Sequence, residues 1–398
     1  MPKDRDMQDM EAAGRGEPAL QQETFILNID YCGNCRGVCP SCILTADERA
    51  RTTPFLTVPQ IADSFARYGD DLRRVKELII GVGRGNILTL DPRYDDDLVG
   101  IARAAEQQFA FEGGVMELST SLVGKYDHHV ARAKSIVKRF AHEGLRFDPR
   151  FVVVANTAID TSPNYWRNIR IFCEQMQDFR GGGDGAGDIL LLNLNIANLP
   201  DIDMLRELLA GYRFPVNITW TPWHDPDLGN DLALRDVETW LAEFYALAMD
   251  EGLDSNVINY THLAMDVGAL TPPQVVEHIE NSGESLAFID QDGVWHKGSP
   301  SVVGDLDPVR YWPKPGDGAK ALITDAKGDF ATLFRARPCR ACAHVTTCVT
   351  SGAWHGAMVT CGKRPELMQS DLCPAGTRSL FSLAQKRYIG DTNLQQEA

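Results

Sequence analysis

Cysteines are the residues of this sequence whose spacing most directly suggests chemistry, and they fall into two groups. The first group lies in YCGNCRGVCPSC, residues 31–42, directly after an apolar run, and comprises Cys32, Cys35, Cys39 and Cys42. Thiols at such short spacing hold a zinc ion or an iron–sulfur cluster, or pair as disulfides. A four-cysteine zinc site normally uses two C-x2-C pairs with a longer spacer between them, which this segment lacks.

The second group lies near the C-terminus, in PCRACAHVTTCVTSGAWHGAMVTCGKRPELMQSDLCPAG. It begins with a C-x2-C-x5-C pattern and continues with two further cysteines, the five being Cys339, Cys342, Cys348, Cys361 and Cys373. Cysteines this dense in one segment of a large chain indicate a second metal site rather than core packing.

Composition and charge restrict the class of protein. The chain has 398 residues, of which 44% are hydrophobic and 24% charged, as in a globular protein. A net charge of −16 repels phosphate backbones, so we expect no nucleic-acid partner. No apolar run reaches the ~18 residues of a membrane span, and the N-terminus lacks the apolar segment of a signal peptide. We therefore expect a cytoplasmic protein without a membrane partner, whose ten cysteines are reduced and suit metal.

Strands and helices alternate six times from residue 23 onward. The apolar strand segments are ETFILNIDY, VKELIIGVG, GGVMELSTS, RFVVVAN, DILLLNLNI and PVNITWTPW. Nearly continuous apolar strands with amphipathic helices between them predict a parallel sheet covered by helices. A doubly wound sheet and a barrel both fit, although GVGRGN at 81–86 lacks the dinucleotide-binding glycine spacing. The first cysteine group follows the first strand, at the edge where parallel sheets bind ligands.

The segment CRGVCPSC resembles the C-x3-C-x2-C signature of the radical S-adenosylmethionine (SAM) enzymes. The resemblance covers residues 23 to about 225 and implies an α/β fold, a partial (β/α)6 TIM-type barrel. It also implies that Cys35, Cys39 and Cys42 hold a [4Fe–4S] cluster whose open iron binds SAM. Reductive cleavage of SAM would then give a 5′-deoxyadenosyl radical. Cys32 is surplus, and is either a small buried residue or a neighbour that tunes the cluster.

The resemblance also suggests residues that contact SAM at the ends of the strands. These candidates are Gly81, Gly83, Ser119, Asn156 and Asn195. The family usually carries G-G-E-P after its second strand to hold the amino group of SAM, whereas this chain has Gly-Val-Gly-Arg at 81–84.

The C-terminal cysteines resemble the SPASM extension found on many radical SAM enzymes, with two departures. Gly352 stands where a fourth cysteine follows the C-x2-C-x5-C pattern, and His296 and Lys297 stand where an earlier cysteine is expected. In the SPASM extension, the cysteines missing here are ligands of the inner auxiliary cluster. The resemblance therefore implies a single auxiliary [4Fe–4S] cluster in a smaller C-terminal iron–sulfur domain.

The auxiliary ligands implied are Cys339, Cys342, Cys348 and, as the fourth, Cys373. Cys361 is the alternative fourth ligand. A thiol near the substrate also donates a hydrogen atom in radical epimerases, and Cys361 and Cys173 are the candidates for that catalytic role, although Cys173 lies on a helical face with Ile169 and Met176, as a core residue does.

The expected organisation has four parts. These are a disordered tail at 1–22, the core barrel at 23–225, a helical connection at 226–285, and a SPASM-like domain at 286–398. We expect a short hairpin around IDQDGVW and a frayed end at GDTNLQQEA.

The resemblance implies an enzyme that abstracts a hydrogen atom from a peptide or small-molecule substrate and takes electrons from a flavodoxin- or ferredoxin-like reductant. Peptide or natural-product maturation by oxidation or crosslinking is the leading interpretation. A sugar or aminocyclitol dehydrogenase or epimerase is the alternative. Two non-enzymatic alternatives are an iron–sulfur electron-transfer protein and a zinc-stabilised scaffold.

Overall fold

A single mixed sheet and its covering helices form the framework, as seen in a computed structural model of the chain. The structure describes residues 22–35, 44–68, 75–83, 85–122, 126–156, 163–181, 189–194, 199–220, 231–255, 257–258, 261, 286–297, 309–310, 324–325, 336–350, 365–374 and 376–396. The expected disordered tail at 1–22 therefore lies, apart from Gln22, outside the described residues.

The described elements follow the predicted alternation closely. The strands are β1 Gln22–Ile29, β2 Val75–Val82, β3 Phe111–Thr120, β4 Phe147–Asn156, β5 Ile189–Leu194, β6 Val216–Trp220, β7 Leu286–Ile289, β8 Trp295–Lys297, β9 Val309–Arg310 and β10 Thr324–Asp325. The helices are α1 Ala46–Ala50, α2 Val58–Tyr68, α3 Asp95–Gln108, α4 Tyr126–His142, α5 Pro163–Arg180, α6 Ile202–Leu209, α7 Asp231–Glu251, α8 Arg337–Arg340, α9 Val345–Thr350 and α10 Arg378–Gln396.

The main sheet has eight strands in the order β6-β5-β4-β3-β2-β1-β7-β8. Strands β1 to β6 pair in parallel with their neighbours in chain order, and a helix lies between each successive pair. Parallel pairing in sequence order with helical crossovers is the arrangement of a partial (β/α)6 barrel. The predicted fold class is confirmed.

The two faces of the sheet differ in chemistry. On one face Phe25, Leu27 and Ile29 of β1 are at most 1% exposed and pack with apolar residues of α2 and α3 such as Phe65 and Ile101. This is the helix face, and its burial is the main stabilising contribution of the core. The opposite face, here called the inner face, carries half-buried polar side chains between the apolar ones. A barrel with an apolar helix face and a polar inner face has a place for a polar ligand.

The hairpin expected around IDQDGVW is present, but it joins the core sheet. Its strands β7 and β8 pair antiparallel, and β7 pairs in parallel with β1. Trp295 of β8 is 1% exposed and lies edge-on to Phe65 and Phe109, with ring centroids 6.4 Å apart in each case. The sequence analysis assigned this hairpin to the C-terminal domain. The structure places it on the core because β1 has a free edge that the short apolar β7 can pair with.

The C-terminal segment returns to the core through α10. Leu380, Phe381 and Ala384 of α10 are buried, and the helix packs against α7. The helix continues to Gln396, so the expected fraying from residue 390 is not found. No helix among the described residues is long and apolar enough to cross a membrane.

Candidate functional site

The first cysteine group begins at the carboxyl end of β1. Residues 30–35 leave the strand in extended form, with Cys32 fully buried and Cys35 half-buried. The backbone N–H of Cys35 donates to the carbonyl oxygen of Arg49 in α1, at 3.2 Å. Cys39 and Cys42 lie outside the described residues, as do all positions from 36 to 43. Their assignment as cluster ligands stays a prediction.

Backbone hydrogen bonds fix the near end of this cysteine segment to the loop after β2. The N–H of Gly83 donates to Ile29 O at 2.9 Å, and the N–H of Gly85 donates to Cys32 O at 3.1 Å. The side chain of Tyr31, fully buried, donates to the Asp97 carboxylate at the start of α3 at 2.6 Å. Burial and this hydrogen bond raise the pKa of Tyr31, so its hydroxyl remains a donor. The segment therefore leaves the sheet along a fixed path.

A capping box formed by Thr45 and Glu48 fixes the chain at the start of α1, after the cysteine segment. The N–H of Glu48 donates to Thr45 Oγ1 at 3.1 Å, and the N–H of Thr45 donates to the Glu48 carboxylate at 2.7 Å. This reciprocal pair starts α1 and satisfies two backbone donors at the helix N-terminus. Gln291, in the β7–β8 turn, donates to the same carboxylate at 2.6 Å. The described residues on either side of positions 36–43 are thus both fixed by hydrogen bonds.

Cys32 has no exposed surface and packs within the hydrophobic core. Burial raises the pKa of its thiol to about 12, with Asp30 adding to the effect. A Cβ atom on Gly83 would lie 2.7 Å from Cys32 Sγ, and Gly83 has a φ of +79°, which favours glycine. Cys32 and Gly83 therefore pack together as structural partners, as expected for a small buried residue.

The predicted SAM contacts are not equally well placed. A Cβ on Gly81 would meet Asn28 Oδ1 at 2.2 Å, so this glycine makes room for a protein side chain rather than for a ligand. Ser119 is half-buried on β3, beside Val152 of β4 in the sheet register. Asn156 ends β4, but its side chain is not described, and Asn195 lies outside the described residues.

Sequence reasoning missed a buried polar bridge at the same edge of the sheet. Thr120 Oγ1 donates to Asn86 Oδ1 at 2.7 Å, and Asn86 Nδ2 donates to Ser121 Oγ at 3.1 Å. Asn86 is fully buried and Thr120 is 1% exposed. This bridge joins the end of β3 to the loop after β2. The Thr120 hydroxyl is therefore used in a hydrogen bond within the protein. Because side chains alternate along a strand, the preceding residue, Ser119, lies on the inner face.

A polar row crosses the inner face below this edge. Asn28, Gly81, Glu117 and Arg150 are partners in register on four neighbouring strands, so their side chains share one face. Burial raises the pKa of Glu117, while Arg150 lowers it and Glu77 raises it further. A partly desolvated carboxylate beside a guanidinium is suited to bind a polar or cationic group of a ligand.

The second cysteine group converges on one cavity. The residues that line it are Pro338, Cys339, Cys342, His344, Val345, Cys348, Cys373, Pro374, Thr377, Arg378 and Phe381. The cavity encloses about 370 Å³, including the part open to solvent. Four cysteines from α8, the turn after it, α9 and the loop before α10 therefore meet at one place. Cys361 lies outside the described residues.

Local hydrogen bonds hold these cysteines in position. The N–H of Cys342 donates to Cys339 O at 3.1 Å, and the N–H of His344 approaches Cys342 Sγ at 3.4 Å. Burial raises the pKa of the Cys348 thiol well above its ordinary value, and the neighbouring thiols raise it further. The Thr377 hydroxyl, which hydrogen-bonds to this thiol, lowers it. Burial also lowers the pKa of His344.

Four cysteine thiols around one cavity are a donor set that suits either a zinc ion or an iron–sulfur cluster. Within the described part of the chain, no three Cys, His, Asp or Glu side chains are arranged to hold a single metal ion. Zinc draws four thiolates in to about 2.3 Å from one centre. A [4Fe–4S] cluster binds each thiolate at a different iron, so its ligands stand farther apart around a cavity. The four cysteines that line this cavity could each bind a different iron of one cluster.

Comparison with known proteins adds the fold family. No protein-family model matches the sequence, and no characterised protein matches it by sequence. Among solved structures, native anSMEcpe with bound AdoMet (SAM) aligns over 92% of this chain and 98% of its own, with 12% identity and a TM-score of 0.55. anSMEcpe is an anaerobic sulfatase-maturating radical SAM enzyme with a SPASM/twitch domain. This chain shares the fold of that enzyme.

Two further matches complete the comparison. anSMEcpe with bound AdoMet and Cp18Cys peptide aligns over the same shares of both chains, with 11% identity and a TM-score of 0.52. Streptococcus suis SuiB bound to precursor peptide SuiA covers 69% of this chain and 59% of its own, with 11% identity and a TM-score of 0.39, too low to support an argument. The fold expected from the resemblance at CRGVCPSC is confirmed, because the chain aligns with anSMEcpe over nearly its full length.

Proposed function

We propose that this chain is a radical SAM enzyme, in which Cys35, Cys39 and Cys42 hold a [4Fe–4S] cluster with SAM at its open iron. Together the cluster and SAM supply, when bound, a 5′-deoxyadenosyl radical that removes a hydrogen atom from a substrate. The cavity lined by Cys339, Cys342, Cys348 and Cys373 holds one auxiliary cluster. A flavodoxin- or ferredoxin-like protein serves as the one-electron reductant.

The observation that carries the proposal is the place of Cys35 within a radical SAM fold. Cys35 stands just beyond the carboxyl end of β1, where open parallel sheets bind their ligands. Residues 30–35 are fixed to the loop after β2, and the capping box of α1 fixes the chain at Thr45. Ligands of a cluster need such a preorganised backbone because loop disorder would weaken metal affinity.

The protein's own groups orient and shield the substrate in this proposal. The polar row of Asn28, Glu117 and Arg150 contacts polar groups of a substrate inside the barrel, and the apolar helix face keeps the sheet rigid. A dry, preorganised site protects a radical from water and from side reactions. The net charge of −16 favours a basic or cationic substrate.

The test of the first step is release of 5′-deoxyadenosine. The chain is reconstituted anaerobically with iron and sulfide, then given SAM and dithionite, and the products are separated by liquid chromatography. We expect release by the wild-type chain and none by the triple variant Cys35→Ala/Cys39→Ala/Cys42→Ala.

Cys32→Ala is the matched control for this experiment. It removes a cysteine from the same segment, but one that packs in the core, so release should persist. Stoichiometric zinc without charge-transfer absorption would contradict the proposal and favour a zinc-stabilised scaffold. A chain that takes up and returns electrons but releases no 5′-deoxyadenosine would be an electron-transfer protein.

We propose a peptide as the substrate, in the maturation of a peptide or natural product. The support is that anSMEcpe, which shares the fold, has been seen with the Cp18Cys peptide bound. Incubation with deuterated Cp18Cys and with deuterated basic peptides should transfer deuterium into 5′-deoxyadenosine. Transfer only from deuterated amino sugars or aminocyclitols would contradict the peptide assignment and favour the small-molecule alternative.

A further inference from the structure

Arg378 is the one arginine or lysine among the described residues that line the cysteine cavity. It is the first residue of α10. The residue before it, Thr377, hydrogen-bonds through its hydroxyl to the Cys348 thiol. One end of its guanidinium is fixed, because Nη1 donates to the carbonyl oxygen of Asp371 at 3.0 Å. Arg378 thus lines the cavity with its guanidinium anchored to the backbone of Asp371.

Among the described residues, the Nε–H of Arg378 has no hydrogen-bond acceptor. Nε is buried, and it makes no hydrogen bond within the part of the chain that the structure describes. Buried donors are nearly always paired, and an unpaired one lowers stability. An unpaired N–H on a residue that lines a cavity of four cysteines is suited to an acceptor inside that cavity. A sulfur atom of a cluster or of its thiolates is such an acceptor.

Charge near an iron–sulfur cluster sets its reduction potential. The reduced cluster carries one more negative charge than the oxidised cluster, so a nearby positive charge stabilises the reduced form more. Hydrogen bonds to the sulfur atoms act in the same direction.

We propose that Arg378 raises the reduction potential of the auxiliary cluster and thereby favours its uptake of one electron. This inference rests on the proposed function, since it requires a cluster on these cysteines. In turnover the electron comes from the substrate radical, which also loses one proton to solvent and becomes an oxidised product. The electron leaves to a one-electron protein carrier of the flavodoxin or ferredoxin class.

Arg337 provides a matched control. It precedes Pro338 and Cys339 in α8 but does not line the cavity, and its side chain is 57% exposed. Its guanidinium also contacts Asp371, through the carboxylate at 3.2 Å. Arg337→Gln therefore removes the same charge from the same neighbourhood, but from a solvated position where screening weakens its effect.

The test is a potentiometric titration of the full chain carrying Cys35→Ala/Cys39→Ala/Cys42→Ala, so that only the auxiliary cluster is observed. Absorbance and electron paramagnetic resonance report the fraction reduced. In Arg378→Gln we expect the reduction equilibrium to shift about tenfold toward the oxidised form, a fall of about 59 mV for a one-electron couple. Arg378→Lys should restore most of the potential, and Arg337→Gln should leave it unchanged.

The outcomes separate the inference from the proposed function. A bound cluster whose potential is the same in Arg378→Gln and Arg337→Gln would overturn the inference and leave the proposed function standing. A correctly folded background chain that binds no iron would overturn the auxiliary site and the inference with it. Iron content and circular dichroism of each variant establish which case holds.

Discussion

Two glycines at the carboxyl edge of the sheet, Gly81 and Gly83, leave space for neighbouring side chains of the protein. Gly83 allows the loop after β2 to pass within contact distance of Cys32, and it adopts a left-handed conformation that a larger residue resists. The sequence analysis expected Gly81 and Gly83 to approach SAM. The structure shows that Asn28 and Cys32 occupy the space beside them. A glycine alone does not reveal whether its close neighbour is a ligand or the protein itself.

We predict that Gly83→Ala lowers iron incorporation at the first cysteine group. The new Cβ would lie 2.7 Å from Cys32 Sγ, and relief of that contact displaces the segment leading to Cys35. Anaerobic iron and sulfide analysis measures the effect. Gly113→Ala on β3 is the control, because nothing lies within 4 Å of its added Cβ. Equal iron content in the two variants would contradict the packing role of Gly83.

Glu117 offers a second residue-scale prediction, one of pH dependence. Its pKa is raised by burial, so its ionised form destabilises the folded state above the ordinary glutamate pKa of about 4.3, and the penalty disappears as pH falls through that range. Glu117→Gln should therefore raise the melting temperature at pH 8 and leave it unchanged at pH 4. Glu112→Gln, an exposed change on the same strand, should have no such effect. A melting temperature that falls at pH 8 would show that pairing with Arg150 dominates.

At the scale of elements, α10 connects the cysteine cavity to the core. Its first turn is capped from α7, since Glu238 Oε1 accepts from the N–H of Ser379 at 3.1 Å and from its hydroxyl at 3.0 Å. A carboxylate at a helix N-terminus is favoured by the helix dipole. The same turn carries Thr377 and Arg378, so the docking of α10 also positions the side chains that face the cysteines.

We predict that Glu238→Ala weakens the docking of α10 by about 1–3 kcal/mol, since it removes two hydrogen bonds to a charged acceptor. Hydrogen exchange over residues 378–387 should accelerate. Asp250→Ala breaks only the exposed ion pair with Arg387, which joins the same two helices at 3.0 Å, and should cost ~0–1 kcal/mol. Matching exchange rates in the two variants would argue against the capping role.

The local sequence pattern was enough to predict most helices and strands, but not all of the elements with which they pair or pack. The strand and helix bounds from β1 to α7 follow apolar runs and a period of 3.6 residues, which are properties of neighbouring residues. The attachment of β7 to β1 depends on an edge far away in the chain, which no local pattern encodes. The docking of α10 on α7 likewise joins residues far apart in the chain. The same reason explains why Arg378 and the bridge between Asn86 and Thr120 were missed, because neither belongs to a spacing motif.

For the whole molecule, the proposal requires two separate clusters. The wild-type chain should then bind about eight irons, and the Cys35/Cys39/Cys42 triple variant about four. In that triple variant, Cys373→Ala should remove most of the remaining iron because Cys373 lines the cavity with the other three cysteines. Cys361→Ala should retain it. Loss of iron in the Cys361 variant alone would identify Cys361 as the fourth ligand.

The pairing of β7 with β1 also sets the order of events during translation. Ile29 pairs with Ile289, 289 − 29 = 260 residues later, and Asp30, at the start of the cysteine segment, donates its N–H to Ile289 O at 2.8 Å. At about 5–20 residues per second, the ribosome leaves that edge of β1 bare for roughly 13 to 52 s. The base of the cysteine segment is completed only when most of the polypeptide has emerged. On the proposed function, iron delivery is then a late step of biogenesis, and until that step the nascent chain carries an open strand edge beside its cysteines.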